Sequence, residues 1–342
     1  MHRTAREGVM FGKGKGIRNS WTPVPNSEPN APTRVSFVIP AYNEEDSIGA
    51  VVEKADAVLQ ACADSHEIIV VDDGSSDRTA ERAEMAGARV VTHPYNRGYG
   101  NSLKSGILAA RHEDVVICDA DGSYPLDDLP LLLQDADRYH MIVGARQGAL
   151  FRGSLLKRIG RWLQLALVRF TVGTAVPDAN SGFRLLKRSL ATRYFDFACS
   201  GFSFTTSITI ALLCEQYCVK FVKIGYLKRA GQSHVRYLRD TARSLQIIVQ
   251  CMLRYNPIKA FLAAGLFALA PMLLFIVMSF GYPVLLIGAA MFACVFLLTM
   301  SMGMLAYAVG RQQSPPGTVD AGINVWQDVA GAGTPPRAGK AA

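Results

Sequence analysis

From Ala260 to Gly310 the chain runs for 51 residues without a single Asp, Glu, Lys, Arg or His. A wholly soluble fold is excluded by that stretch, because burying so long an uncharged segment needs more surrounding protein than this chain supplies. As helix it would extend ~76 Å, against a bilayer core ~30 Å thick, which suits two spans. The break falls at Phe280-Gly281-Tyr282-Pro283, where Gly and Pro favour a tight turn. The pattern predicts helices over about 258–280 and 283–310, paired as a membrane hairpin. Pro271 is tolerable there, since neighbouring groups in a membrane bundle satisfy the freed carbonyl. Arg254 and Lys259 precede the first span, Arg311 follows the second, and the turn carries no charge. The positive-inside rule then places both chain ends and the main domain in the cytosol. The first residues carry no apolar core of a signal peptide, and none of the seven cysteines forms a CxxC pair, as expected of a reducing compartment.

Half of the 342 residues are apolar, so disorder across the whole chain is excluded; the net charge is +8. Residues 1–34 read as a disordered basic tail, and residues 311–342, with two Pro-Pro pairs, as a second flexible tail. Gly12-Lys13-Gly14-Lys15-Gly16 fails the spacing of a phosphate loop and follows no strand. Between the tails, apolar runs at 35–39, 67–71, 88–92, 115–118 and 140–144 alternate with helical segments at 47–62, 78–86, 100–111 and 126–136. Such a series predicts an α/β domain with a mostly parallel sheet covered on both faces. Ligands of such sheets bind at the carboxyl ends of the strands.

The polar motifs fall at those ends. The first strand runs into Pro40-Ala41-Tyr42-Asn43-Glu44-Glu45, the second into Asp72-Asp73-Gly74-Ser75-Ser76-Asp77, and the fourth into Asp119-Ala120-Asp121-Gly122-Ser123. Three acidic clusters at one sheet edge repel one another unless a divalent cation or sugar hydroxyls compensate. Asp119 and Asp121, two residues apart where a strand turns, can converge on one metal ion. Asp77 reads more simply as a cap for the helix that follows. A lone pair of acids is unspecific; the ordered combination on successive strands is far more specific.

That combination, with Asn96-Arg97-Gly98, Gly144-Ala145-Arg146, Ser181-Gly182-Phe183-Arg184 and Arg229-Ala230-Gly231-Gln232-Ser233, resembles the family 2 glycosyltransferases of the GT-A fold. Within them it is most similar to the polyprenyl-phosphate sugar synthases of the dolichol-phosphate mannose synthase type, over about residues 35–235. The resemblance implies a Rossmann-like catalytic domain, an amphipathic interface helix at 236–257 and a two-helix membrane hairpin at 258–310. It implies inverting transfer of a hexose from a nucleotide sugar to a polyprenyl phosphate. By it, Pro40, Tyr42, Glu44, Asp72, Asp73 and Asp119 bind the nucleotide sugar, and Asp119 and Asp121 hold Mg²⁺ or Mn²⁺. Arg146, Arg158, Arg229 and Ser233 meet the acceptor phosphate, Arg158 being interchangeable with Lys157 or Arg161 by a small shift. The catalytic set is then Asp119, Asp121, Arg146 and Arg229. Relatives assemble through their membrane helices, so a homo-oligomer is expected.

The basic residues fit an anionic acceptor. Arg146 to Arg169 holds six Lys or Arg and no acid. Leu155, Ile159, Trp162, Leu163, Ala166 and Phe170 share one helical face, with Lys157, Arg158 and Arg161 on another. A second stripe sets Arg236, Arg239, Arg243 and Arg254 against Leu238, Leu245, Ile248 and Met252. Both are expected to lie in the membrane interface. A phosphate acceptor is already an anion and needs no general base. In keeping with this, Ser207 stands where many relatives carry Glu, in Gly201-Phe202-Ser203-Phe204-Thr205-Thr206-Ser207. His93 and His234 read as structural. Two alternatives stay open: a transferase acting on a lipid-linked saccharide or polysaccharide, and a non-catalytic nucleotide-sugar-binding membrane module. No nucleic-acid partner is expected, because the cations sit beside apolar stripes with no interleaved aromatic patch.

Overall fold

The apolar runs are near-continuous and not alternating, which is the signature of strands buried on both faces. The computed structural model describes residues 33–148, 155–196, 198, 201, 203–227 and 237–313. The expected tails, apart from 33–34 and 311–313, lie outside the described residues, as do Arg229, Ser233 and His234. The elements in chain order are β1 (Arg34–Ala41), α1 (Ile48–Cys62), β2 (Ser65–Asp72), α2 (Thr79–Met85), β3 (Arg89–Thr92), α3 (Tyr99–Ala109) and β4 (Asp114–Ile117). A 3-10 turn at Leu126–Asp128 leads into α4 (Leu129–Leu133), then β5 (Met141–Arg146), α5 (Leu155–Val172), β6 (Arg184–Lys187), α6 (Arg188–Arg193) and α7 (Phe204–Cys214). The chain ends with β7 (Val219–Ile224), α8 (Tyr237–Tyr255), α9 (Pro257–Ser279) and α10 (Leu285–Gln313).

The seven strands form one sheet in the order β3-β2-β1-β4-β6-β5-β7. All pairings are parallel except those of β6, which runs antiparallel to both β4 and β5. One apolar layer packs Phe37, Ile39 and Val70 under α1 and α4; the other packs Val38, Ile69 and Val71 under α3 and α7. The sequence reading missed β6 and β7. The first is only four residues long, and Lys220 and Lys223 break up the second. The helix expected over 126–136 is a 3-10 turn followed by a short α4 with Pro130 in its first turn.

Two consequences position the site. β1 is flanked by β2 and β4, so the crossover direction reverses between β1 and β4, the place where open sheets leave a crevice. The antiparallel β6 starts where β4 stops, at Ile117↔Arg184, so residues 181–184 cross the carboxyl edge of the sheet.

The hairpin forms with boundaries close to those expected. Pro257–Ser279 and Leu285–Ala306 have mean hydropathy of 2.5 and 2.3, long and apolar enough to cross a bilayer, and little of either is covered by the rest of the chain. Pro271 sits within an unbroken α9. The two stripes behave differently from each other. On α5, Ile159, Trp162, Leu163 and Phe170 are exposed, as an interface helix requires. On α8, Ile248, Cys251 and Met252 are buried, Ile248 and Cys251 in a cluster with Val168 of α5 and Ile210 of α7. Ile248 and Met252 of that stripe therefore serve the domain core, a correction to the expectation, while Leu245 is half-buried and the Leu238 side chain lies outside the described residues. Val249 and Leu253 are the outward apolar residues of α8.

Candidate functional site

At the β1 and β2 ends, two loops clasp each other through backbone groups. Asn43, in a left-handed conformation (φ 53°), accepts from the Ser76 N–H through its side chain at 2.8 Å, and its own N–H donates to Ser75 Oγ at 2.9 Å. Gly74 (φ 74°) is required, since a Cβ there would lie 2.7 Å from the Tyr95 backbone. Pro40 pairs with Val71 of β2, beyond the last β1–β4 partners Val38↔Ile117, where its missing N–H costs no ladder bond. Tyr42 and Glu44 follow at the open edge, with Tyr42 36% exposed. Asp77 accepts from the N–H groups of Thr79 and Glu45, and these bonds outweigh burial to lower its pKa. It ties the start of α2 to the loop after β1, although the N-cap position of α2 is Arg78 and carries no side-chain cap bond.

The two acids of the second strand are turned inward. Asp72 accepts from the Ser75 N–H at 3.1 Å. Asp73 accepts from His93 Nδ1 at 2.6 Å and from the N–H groups of Arg97 and Gly98 at 2.9 and 2.8 Å. With three protein partners and a nearly inaccessible carboxylate, Asp73 holds the 93–98 loop in place. His93, also bonded to Ser105, is structural.

Asp119 and Asp121 emerge beyond β4 at the switch point. The Tyr99 hydroxyl donates to Asp119 Oδ1 at 2.7 Å, and the Ser123 N–H donates to Asp121 Oδ1 at 3.0 Å. Burial, then the Asp119 charge, raises the Tyr99 pKa, so the phenol stays a proton donor. Gly182 passes directly beneath: a Cβ there would lie 2.5 Å from Asp119 Oδ1. The Gly182 N–H donates to the Tyr124 hydroxyl at 2.7 Å. Below that crossing lies Arg184, fully buried, with its guanidinium spent on the carbonyls of Ala179, Ser181 and Thr205 and on Thr209 Oγ1. Burial lowers its pKa to about 10, which leaves it charged at neutral pH.

The residues present fit a divalent cation. Asp119 and Asp121 offer hard carboxylate oxygens two residues apart, and the buried Ser123 hydroxyl beside them has no hydrogen-bond partner. Among the described residues no three His, Cys, Asp or Glu converge. That composition suits Mg²⁺ or Mn²⁺, which take one or two carboxylates and complete their shell with substrate phosphates.

Arg146, at the end of β5, does not stand alone. Its Nε and Nη2 make a bidentate pair with Asp178 at 2.8 and 3.1 Å, and its guanidinium lies 5.6 Å from the Tyr226 ring centre. Burial works against both charges, yet each partner holds the other ionised, so the Asp178 pKa falls and the Arg146 pKa rises. A cavity of about 20 Å³, room for one water, adjoins this pair and is lined by Arg161 and Gln164 of α5 and by Asn180. Arg161, Gln164, Leu165 and Val168 fall at helical spacing along that wall. Arg158, one turn earlier, is exposed and does not line the cavity; of the two, Arg161 does. At α7, Ser207 is buried and donates to the Phe204 carbonyl, and α7 carries no carboxylate.

Sequence reasoning missed Tyr99 and Asp178 as parts of the site, and named Arg161 only as an alternative to Arg158. Asp178 did leave a signal: it is the sole acid between Asp137 and Asp196, in the most basic part of the domain.

Carboxylates at a topological switch point, above an antiparallel strand that crosses the sheet edge, define a GT-A glycosyltransferase domain. The family model for glycosyl transferase family 2 matches residues 36–195. Residues 36–195 therefore match a family 2 glycosyltransferase domain, and the chain is a glycosyltransferase. It is similar to an undecaprenyl-phosphate 4-deoxy-4-formamido-L-arabinose transferase of Klebsiella pneumoniae (strain 342), 28% identical over 301 residues, covering 81% of this chain and 88% of that one. A protein of the same description from Edwardsiella ictaluri is 34% identical over 166 residues, covering 46% of this chain and 50% of that one. Among solved structures, the glucosyl-3-phosphoglycerate synthase of Mycobacterium tuberculosis in complex with UDP aligns with TM-score 0.53 at 22% identity, covering 65% of this chain and 80% of that one. Its complex with Mn²⁺, UDP and phosphoglyceric acid aligns with TM-score 0.52 at 24% identity, covering 65% of this chain and 78% of that one. These two likenesses establish the shared fold.

Proposed function

We propose that this protein transfers a sugar from a nucleoside-diphosphate donor to a polyprenyl phosphate at the cytosolic membrane face, with inversion at the anomeric carbon. The observation that carries this reading is the meeting, at one sheet edge, of the Asp119/Asp121 pair and the cationic wall of Arg146 and Arg161, on a domain joined to an apolar hairpin. The undecaprenyl-phosphate transferases it resembles support the acceptor class, and the UDP and Mn²⁺ complexes of its structural neighbours support the donor class and the metal.

Tyr42 and Glu44 line the base and ribose, while Tyr99 holds the Asp119 carboxylate toward the diphosphate and Gly182 leaves room for it. Asp119 and Asp121 would hold Mg²⁺ or Mn²⁺, which when bound would supply Lewis-acid neutralisation of the charge growing on the departing nucleoside diphosphate. Arg161 meets the acceptor phosphate outside the one-water cavity, which is too small to hold it, with Arg146 held in register by Asp178. An acceptor phosphate oxygen forms the new bond to the anomeric carbon as the bond to the donor diphosphate breaks and its electron pair leaves with the nucleotide. Attack from the face opposite the leaving group inverts that carbon. No side chain takes a proton, consistent with Ser207 on α7. Arg229 and Ser233 extend the acceptor site in this reading. The two apolar helices anchor the domain, with both chain ends cytosolic.

The test is a donor screen on membranes containing the protein, with polyprenyl phosphate and labelled UDP-4-deoxy-4-formamido-L-arabinose, UDP-glucose or GDP-mannose. A labelled, lipid-extractable product from one donor, formed only with added Mg²⁺ or Mn²⁺, is expected. Label released to water without lipid product, or no turnover with any donor, contradicts the proposal.

A further inference from the structure

The membrane-proximal end of α5 borders an opening that the transfer reaction does not use. A groove of about 620 Å³ lies between the last turn of α5, residues 173–175 and the first turns of α9, a volume typical of small-ligand sites. One side is apolar: Phe170, Leu262 and Leu266 are all exposed there. At its polar end stand Arg169 and Lys259.

Both cations are positioned by backbone. Arg169 Nε donates to the Val176 carbonyl at 2.9 Å. Lys259 Nζ lies 3.4 and 3.5 Å from the Phe170 and Thr171 carbonyls at the end of α5, and Asn256 Nδ2 donates to the Thr171 carbonyl at 2.9 Å. Among the described residues, neither is ion-paired with a carboxylate. A cation in the first turn of α9 also opposes the helix dipole, so local helix stability does not account for Lys259. Two cations without acidic partners, beside apolar walls at the head of a membrane-spanning helix, complement an anionic headgroup with an acyl chain.

We propose that this groove binds an anionic phospholipid of the surrounding membrane. Its phosphate lies between Arg169 and Lys259, and an acyl chain runs along Phe170, Leu262 and Leu266. The site is separate from the acceptor cavity, since Arg161 precedes Arg169 by eight residues, about 12 Å along the helix. Occupancy fixes the end of α5, whose preceding turns line that cavity.

The experiment is native mass spectrometry of the delipidated full-length protein titrated with phosphatidylglycerol or phosphatidylcholine. The wild type is expected to bind phosphatidylglycerol about tenfold or more in preference, given ~1 kcal/mol per basic residue near a lipid surface. Arg169→Gln/Lys259→Gln loses that preference, and the charge-conserving Arg169→Lys/Lys259→Arg keeps it, which separates charge from folding. Equal binding of the two lipids by the wild type, or a preference that survives the double Gln variant, overturns the proposal. Stoichiometric displacement of phosphatidylglycerol by added polyprenyl phosphate assigns the groove to the acceptor and overturns it as well; retention of both lipids together supports it.

Discussion

At the β1, β2 and β4 ends, carboxylates are held by backbone N–H groups: Ser75 on Asp72, Arg97 and Gly98 on Asp73, Thr79 and Glu45 on Asp77, Ser123 on Asp121. On the β5 and β6 side, buried guanidinium groups are held by other side chains and carbonyls. Arg146 pairs with Asp178, and Arg184 reaches Ser181, Thr205 and Thr209. The first arrangement survives loss of one member, since its loops share several bonds from neutral backbone donors. The second concentrates its stability in a few buried charges, each of which costs a great deal if stranded. The proposed donor half, built from loops, and the proposed acceptor half, built from buried charge, should therefore fail differently.

The largest effect is expected at the donor edge and in turnover alone. Asp121→Asn should lower transfer by about a hundred-fold or more, the scale of losing a directed electrostatic group, with little change in melting temperature. Circular dichroism melts beside the lipid-product assay check both halves of that statement. On the acceptor side the order reverses: Asp178→Ala strands the buried Arg146 guanidinium and should cost about 3–5 kcal/mol of stability. Denaturant unfolding of the purified protein measures it, and a cost near zero would dissolve the contrast between the halves.

Tyr99→Phe removes one neutral donor from Asp119 and should reduce kcat about ten-fold, as loss of an outer partner of a metal ligand does, with the acceptor KM unchanged. The smallest effect is in pH. Burial, then Lys187, lowers the His140 pKa, and the neutral ring accepts the Cys218 N–H that ties β5 to β7. The unfolded chain takes that proton first, so this stability is present above about pH 6.5 and lost as pH falls through it. Asp77 has a lowered pKa, so its contribution holds until pH falls to about 4. Hydrogen exchange at pH 5.5 against 7.5 should show the β5–β7 edge loosening while the β1–β2 loops stay protected.

The same contrast explains what could be read without coordinates. The donor edge was legible because its parts are consecutive: a strand, then its acids, then a helix. Asp119 and Asp121 declared themselves by adjacency, and the hairpin by 51 uncharged residues. The acceptor half was not legible, because its geometry comes from pairings across the sheet. Antiparallel β6 brings Gly182 under Asp119, and nothing local predicts that reversal. The choice of Arg161 over Arg158 depends on how far α5 extends past the domain edge, a matter of tertiary packing. Ile248 and Met252 of the α8 stripe looked like lipid contact by periodicity and proved to be core, because periodicity shows that a face is apolar and not what covers it.

The central claim is that the two halves serve two substrates, and initial-rate kinetics with donor and polyprenyl phosphate both varied test it most directly. Arg161→Gln should raise the acceptor KM about ten-fold, on the scale of one charge-assisted bond, and leave the donor KM where it was. A rise in the donor KM with the acceptor KM unmoved, or an equal rise in both, would contradict the division of labour described for this sheet edge.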